Sequence, residues 1–306
     1  MNSYTSSPLV SIVLTTLNGA RFLRQALDSC LSQTETDLEL LVVDGGSTDE
    51  TLAILASYSD PRMRVIHQVG NAGKLPGAIN LGLAQAKGRY LTWMQDDSLY
   101  EPTAIARMAE VLDQHPHVGH VYCDYWVIDA EGATLHRQDT IVPDDILKAK
   151  SDPCGTCFLI RRETRDAVGE HDVEAYPTQD YDYRMRIAMK VRSFHLAEPL
   201  YRWRIHPYSL TGSRPWTVDA QNDAQIRLRL GLSDQQTYRR DLGEVDAAWA
   251  FERYQAGDVG AVPRAVLAAV RHDPRLLRNR GIWSITARSL WRLLRARTSA
   301  GPSSGT

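Results

Sequence analysis

Residues 38–58, LELLVVDGGSTDETLAILASY, change periodicity in the middle. The first half, LELLVVDGG at 38–46, is a short apolar run closed by two glycines, which suits a strand buried on both faces. The second half opens with Ser47 and Glu50 in the spacing of a capping box and continues with helical periodicity. A buried strand followed at once by a helix is the repeating unit of an α/β protein. The neighbouring sequence repeats it. Upstream, LVSIVL at 9–14 reads as a strand, and NGARFLRQALDSCLSQ at 18–33 places Phe22, Leu23, Ala26, Leu27 and Leu31 at helical spacing. Downstream come MRVIHQ at 63–68 as a strand, PGAINLGLAQAKG at 76–88 as a helix and YLTWM at 90–94 as a strand. Strands alternating with helices predict a doubly wound, mainly parallel sheet flanked by helices. Such sheets bind ligands at the carboxyl ends of their strands, where the strand order reverses. Those ends carry Thr15, Asn18, Asp44, Asp96 and Asp97.

The chain then becomes mixed. HVYCDYWVID at 120–129 predicts a strand, followed by a long polar loop and the apolar piece CFLIRRE at 157–163. DYDYRMRIAMK at 180–190 predicts a helix and FHLAEPLYRWRIH at 194–206 a strand. From about residue 216 the pattern is helical and rich in arginine, ending in a Gly/Ser/Pro tail expected to be disordered. There is no internal repeat. The 306 residues are 43% hydrophobic with a formal charge of −2, an ordinary globular composition that gives no reason to expect nucleic-acid binding. The start, MNSYTSSPLV, lacks the basic and apolar regions of a signal peptide, and no apolar run is long enough to span a membrane. A cytoplasmic protein is expected. Cys30, Cys123, Cys154 and Cys157 are too few and scattered for a disulfide framework, and CGTC at 154–157 has no second pair to complete a zinc site.

Two adjacent carboxylates at the end of an apolar strand need a reason. Asp96 and Asp97 can sit in a solvated turn, or they can hold a hard divalent cation such as Mg²⁺ or Mn²⁺ against a diphosphate. Other phosphate motifs fail. GNAGK at 70–74 has the wrong spacing for a Walker loop and is followed by Leu75 rather than Ser or Thr, and no GxGxxG follows the first strand.

Taken in order, VSIVLTTLN, LELLVVDGGSTDET, NAGKLPGAINLGLAQAKGRYLTWMQDD, CGTCFLIRRETRDAVGEHD with QDYDYRMR, and EPLYRWRIHPYSLT resemble the family 2 glycosyltransferases. The resemblance covers roughly residues 8–212. It implies a GT-A fold over residues 1–212; beyond its reach, the helical pattern and composition give an arginine-rich extension over 213–297 and a disordered tail at 298–306. It also implies an inverting transfer from a UDP- or dTDP-sugar to a glycan or polyprenyl-linked acceptor in cell-surface polysaccharide biosynthesis. Asp96 and Asp97 then lie in the DxD-type motif, with Asp97 as direct ligand of Mn²⁺ or Mg²⁺ and Asp96 as its support. Gln95 stands where the family commonly has Asp, and it could still bond the ribose or a metal-bound water. Asp44 is implied to meet the base or ribose of the nucleotide, in a pocket that begins at Thr15, Thr16 and Asn18. Lys74 can neutralise phosphate as a point charge, and Asn80 matches the family's Asn in this stretch. Asp180 matches the general base, which takes the acceptor hydroxyl's proton. Gln179 replaces the usual Glu beside it, and Asp182 is the alternative base. His206 is implied to close the metal or diphosphate site, where it or Arg204 could face phosphate.

Two other readings remain at this level. The substitutions at Gln95, Ser98 and Gln179 fit a protein that keeps the fold as a sugar-nucleotide-binding scaffold without full catalysis. A nucleotidyltransferase on a related sheet is the other. The last stretch, 271–297, holds eight arginines and one acidic residue, Asp273. On a helix it places Trp283, Ala287, Leu290 and Leu294 on one face and Arg288, Arg292 and Arg295 on another. That pattern suits either contact with an anionic membrane or packing of the apolar face against the rest of the protein.

Overall fold

The computed structural model describes residues 7–299. The chain divides after Ser213 into two compact units. In the first, the apolar runs form β1 (Val10–Thr16), β2 (Leu38–Asp44), β3 (Met63–His67) and β4 (Tyr90–Gln95). Between them lie α1 (Leu23–Leu31), α2 (Thr51–Ala56) and α3 (Lys74–Gln85). All seven residues of β1 are buried, as helices covering both faces require. Next come β5 (Leu99–Tyr100), α4 (Ala104–Gln114), β6 (Val118–Ile128), β7 (Thr134–Gln138), β8 (Phe158–Arg161), α5 (Arg162–Val168), α6 (Gln179–Ala188) and β9 (Arg192–Arg204).

One sheet holds these strands in the order β3-β2-β1-β4-β8-β6-β9-β5, with β7 paired to β6. β1 runs parallel to both β2 and β4, and β2 parallel to β3. β8 is antiparallel to both its neighbours, β4 and β6, while β6 and β9 are parallel. The chain winds outward from β1 to β3 and then returns to lay β4 on the other side of β1. The order therefore reverses between β1 and β4, and a crevice opens at their carboxyl ends.

Two local expectations are corrected. Ser47 does not cap α2. Its hydroxyl accepts the Asn18 backbone N–H at 2.8 Å, and the helix starts only at Thr51 behind Glu50. The competing bond wins because Asn18, at φ 55°, turns its N–H toward Ser47. The polar loop after β6 also contains a strand, β7, paired antiparallel to β6 and exposed at every residue. An edge ribbon wet on both faces has no apolar alternation to reveal it.

The second unit holds α7 (Trp216–Arg229), α8 (Gln235–Gln255), α9 (Val262–His272) and α10 (Arg280–Ser299). Its core is Ala247 and Ala250 of α8, Val262, Ala265, Val266 and Ala269 of α9, and Ile282 and Ile285 of α10. Residues 300–306 of the expected tail lie outside the described residues. Thr298 and Ser299 belong to α10, because no glycine or proline interrupts the helix before Gly301. Among the described residues no helix is long and apolar enough to cross a membrane. The four cysteines are free and buried, and burial pushes the Cys30 thiol up to about 12 and also raises the Cys154 and Cys157 thiols.

Candidate active-site cleft

A cleft of about 680 Å³ opens where β1 and β4 end. Its lining includes Thr15, Thr16, Asn18, Lys74, Gln95, Asp96, Asp97 and His206, so eight side chains singled out in the sequence converge there. Register explains the first part of this. Thr15 pairs with Gln95 across β1 and β4, which puts Thr16 beside Asp96.

The two carboxylates do different work. Asp96 accepts a short hydrogen bond from the Thr16 hydroxyl. Its carboxyl group is pressed so closely on Gly19 that a side-chain carbon there would lie 1.7 Å from Oδ2. Burial, with the charge of Asp97 adding to it, pushes the Asp96 pKa up to about 7. Asp97 accepts from the Ser98 hydroxyl at 3.0 Å, and its Oδ2 lies 3.2 Å from His206 Nε2. The adjacent charges are thus separated chemically, one held by a hydroxyl and the other facing an imidazole.

His206 follows β9 and packs its ring 4.9 Å from Phe22. Its Nδ1 is buried without a hydrogen-bond partner. Arg204 does not face the cleft. It is buried, donates from Nε to the Asp97 carbonyl at 2.8 Å and from Nη1 to the Asp129 and Ala130 carbonyls, and stacks on Phe22. Its role is to hold the loop carrying Asp97 against β9.

Asp44, 2% exposed, is not among the lining residues, though Gly45 is. Its carboxylate accepts the Gly46 and Ser47 N–H groups at 3.2 Å and lies 3.6 Å from His67 Nδ1. Asn18 lines the cleft, but its side-chain oxygen accepts from the Thr48 N–H at 2.8 Å. Lys74 Nζ sits 4.5 Å over the Tyr176 ring. Asn80 lies outside the lining, and its amide clamps the His171 backbone, donating at 2.9 Å and accepting at 2.8 Å.

Asp180 stands in the first turn of α6, also outside the lining. Its two oxygens accept from Trp93 Nε1 at 3.2 Å and from Gln179 Nε2 at 3.0 Å. Gln179 thus supplies a donor where a second carboxylate would repel. Asp182 is fully buried and bound by Arg186 Nε at 2.8 Å. Beside Asp180, Arg184 is 2% exposed and pairs with Asp152 at 2.6 Å.

Sequence reading passed over Arg21, Tyr176 and Tyr208, which also line the cleft. Arg21 had a signal, being a basic residue just after Asn18 at the end of the first strand. Tyr176 and Tyr208 had none, because only folding brings their loops to β1 and β4.

Sheet order and cleft together define an α/β enzyme of GT-A type. Residues 11–169 match the model described as glycosyl transferase family 2. A glycosyltransferase of Rickettsia typhi is 31% identical over 222 residues, 70% of this chain and 69% of that one. The chain belongs to glycosyltransferase family 2. Among solved structures, S. aureus TarS 1–349 in complex with UDP shares the fold with a TM-score of 0.59 at 19% identity, over 87% of this chain and 81% of that one. A Pyrobaculum calidifontis mannosyltransferase in complex with GDP-Man and Mn²⁺ does so with a TM-score of 0.58 at 18% identity, over 95% and 87%.

Proposed function

We propose that residues 1–212 form the transferase unit, moving a sugar with inversion from a UDP- or dTDP-sugar to a glycan or polyprenyl-linked acceptor of cell-surface polysaccharide synthesis in the cytoplasm. The observation that carries this reading is the meeting of Asp97 and His206 with two cationic side chains, Arg21 and Lys74, in one cleft at the switch point. A nucleoside diphosphate needs positive partners for its phosphates, and this cleft offers them.

The donor set also fits a divalent cation. Asp97 provides carboxylate oxygen and His206 the imidazole Nε2 that faces it, and a mixed oxygen and nitrogen set suits Mn²⁺ better than Mg²⁺. Among the described residues no group of three or more His, Cys, Asp or Glu side chains is assembled for a metal, so the diphosphate and water would complete its coordination. Asp97 and His206 would hold the ion, which when bound stabilises negative charge on the departing diphosphate. Asp96, hydrogen-bonded to Thr16, positions the strand end rather than ligating. Thr15, Gln95 and Asn18 border the nucleotide, with Asp44 fixing the turn beside it. Asn80 braces the His171 backbone.

Asp180 acts on the acceptor. Its carboxylate, oriented by Trp93 and Gln179, takes the proton of the acceptor hydroxyl as that oxygen bonds to the anomeric carbon and the bond to the diphosphate breaks. The nucleoside diphosphate leaves, and one displacement inverts the centre. The mutational test is Asp97→Ala. Calorimetry with UDP-sugars should show Mn²⁺-dependent binding in the wild type that is lost in the variant. Unchanged Mn²⁺ dependence would remove Asp97 from the metal site.

The extension, 213–297, gives the enzyme peripheral contact with an anionic membrane through residues 271–297. The supporting observation is that α10 buries Ile282 and Ile285 but exposes Trp283, Leu290, Trp291 and Leu294, each 43–63% accessible. Arg288, Arg292 and Arg295 are exposed beside them.

A further inference from the structure

The second unit contains a basic cavity of its own. It measures about 570 Å³ and is lined by Arg239 and Arg240 of α8, Arg271 at the end of α9, and Arg275 just beyond it. A close helix contact brings these four guanidinium groups together. Gly243 of α8 lies so near the end of α9 that an added side-chain carbon would be 2.7 Å from Asp273 Cβ. Arg239 and Arg240, four and three residues before Gly243, share its face and are carried to the same place.

The positive charge is only partly answered. Asp273 pairs with Arg275 through two bonds of 2.8 and 2.9 Å, and Glu244 lies 4.0 Å from Arg240. His272 turns to Asp246 at 2.8 Å. Neither Arg239 nor Arg271 has an acidic partner within 4.0 Å among the described residues, and both are exposed. Like charges gathered in a concave site repel each other, and forked guanidinium groups match the oxygens of phosphate.

We propose that this cavity binds the phosphate group of a membrane lipid. The lipid source is argued from continuity. Pro274 and Arg275 of the rim lead within a few residues to Leu277, which is 53% exposed. The Leu277 carbonyl accepts the Trp283 indole N–H at 2.8 Å, joining the rim to the exposed apolar face of α10. The segment from Pro274 to Leu277 thus ties the arginines that would hold a phosphate to apolar side chains suited to the acyl region, with tryptophan at the boundary. The inference rests on the membrane contact proposed above and gives it a specific site.

The test uses the full chain, Arg239→Gln/Arg271→Gln, and Arg288→Gln/Arg292→Gln, with circular dichroism confirming that each folds. Co-sedimentation is measured with vesicles of phosphatidylcholine alone and mixed with phosphatidylglycerol, and thermal shift with inorganic diphosphate. The expected result is binding to the anionic vesicles that falls roughly 30-fold in Arg239→Gln/Arg271→Gln, on the scale of about 1 kcal/mol for each basic residue near such a surface. Retained vesicle binding in that variant, with loss in Arg288→Gln/Arg292→Gln, would overturn the cavity and leave the α10 contact standing. A diphosphate shift lost in Arg239→Gln/Arg271→Gln while vesicle binding is unaffected would overturn the lipid as its ligand. No vesicle binding by the wild type would overturn both.

Discussion

Asp96 and Asp97 are neighbours in sequence with opposite chemical fates. The first is pressed against Gly19 and hydrogen-bonded to Thr16, and the second faces His206. Gly19→Ala separates these roles experimentally. A side-chain carbon 1.7 Å from Asp96 Oδ2 and 2.6 Å from Thr16 Oγ1 must displace both. We expect donor affinity to fall at least tenfold by calorimetry, and an unchanged affinity would mean that Asp96 has no positioning role. At Asp180 the expected signature is kinetic. Asp180→Asn keeps size and the Trp93 contact but removes basicity, so turnover should fall about 10²-fold or more while donor binding persists. Full turnover would place the base elsewhere. Asp182 is a poor substitute, because it is buried in its pair with Arg186.

Single elements were legible where one face dominates. The strands from β1 to β4 and helix α1 follow their apolar periodicity, because burying that pattern is what forms them. Element ends were less legible. Ser47 and Glu50 have capping-box spacing, yet Ser47 serves Asn18 and the turn at Asp44. Ser47→Ala should therefore loosen the loop after β1 rather than the start of α2, at a cost of about 1 kcal/mol for the lost bond. Hydrogen exchange should quicken at the Asn18 amide and stay unchanged at Ile54. The reverse pattern would restore the capping reading.

On the scale of the molecule, two histidines buried in the first unit link stability to pH. Burial, helped by Arg184, lowers the His120 pKa to about 3, and burial lowers His171 well below its ordinary value. An unfolded histidine titrates near 6.5. The folded state therefore binds fewer protons, and the stability present above pH 6.5 is lost as pH falls from there toward 3. Each such group costs up to about 1.4 kcal/mol per pH unit in that window. Denaturant midpoints should fall between pH 6.5 and 5, and His120→Gln should make that slope shallower. An equal slope in the variant would show that His120 is not buried in its neutral form. The same long-range packing marks what the sequence could not say. By itself the sequence determined the alternation of strands and helices, the family, and which polar residues end the strands, because these depend on local periodicity and short motifs. Tertiary structure decided which carboxylate packs against Gly19 and which faces His206, that Arg204 serves carbonyls, that Gln179 supports Asp180, and that four arginines meet around Gly243. These outcomes turn on partners and burial, and apart from the neighbouring Gln179 those partners lie far away in sequence, so no local pattern encodes them.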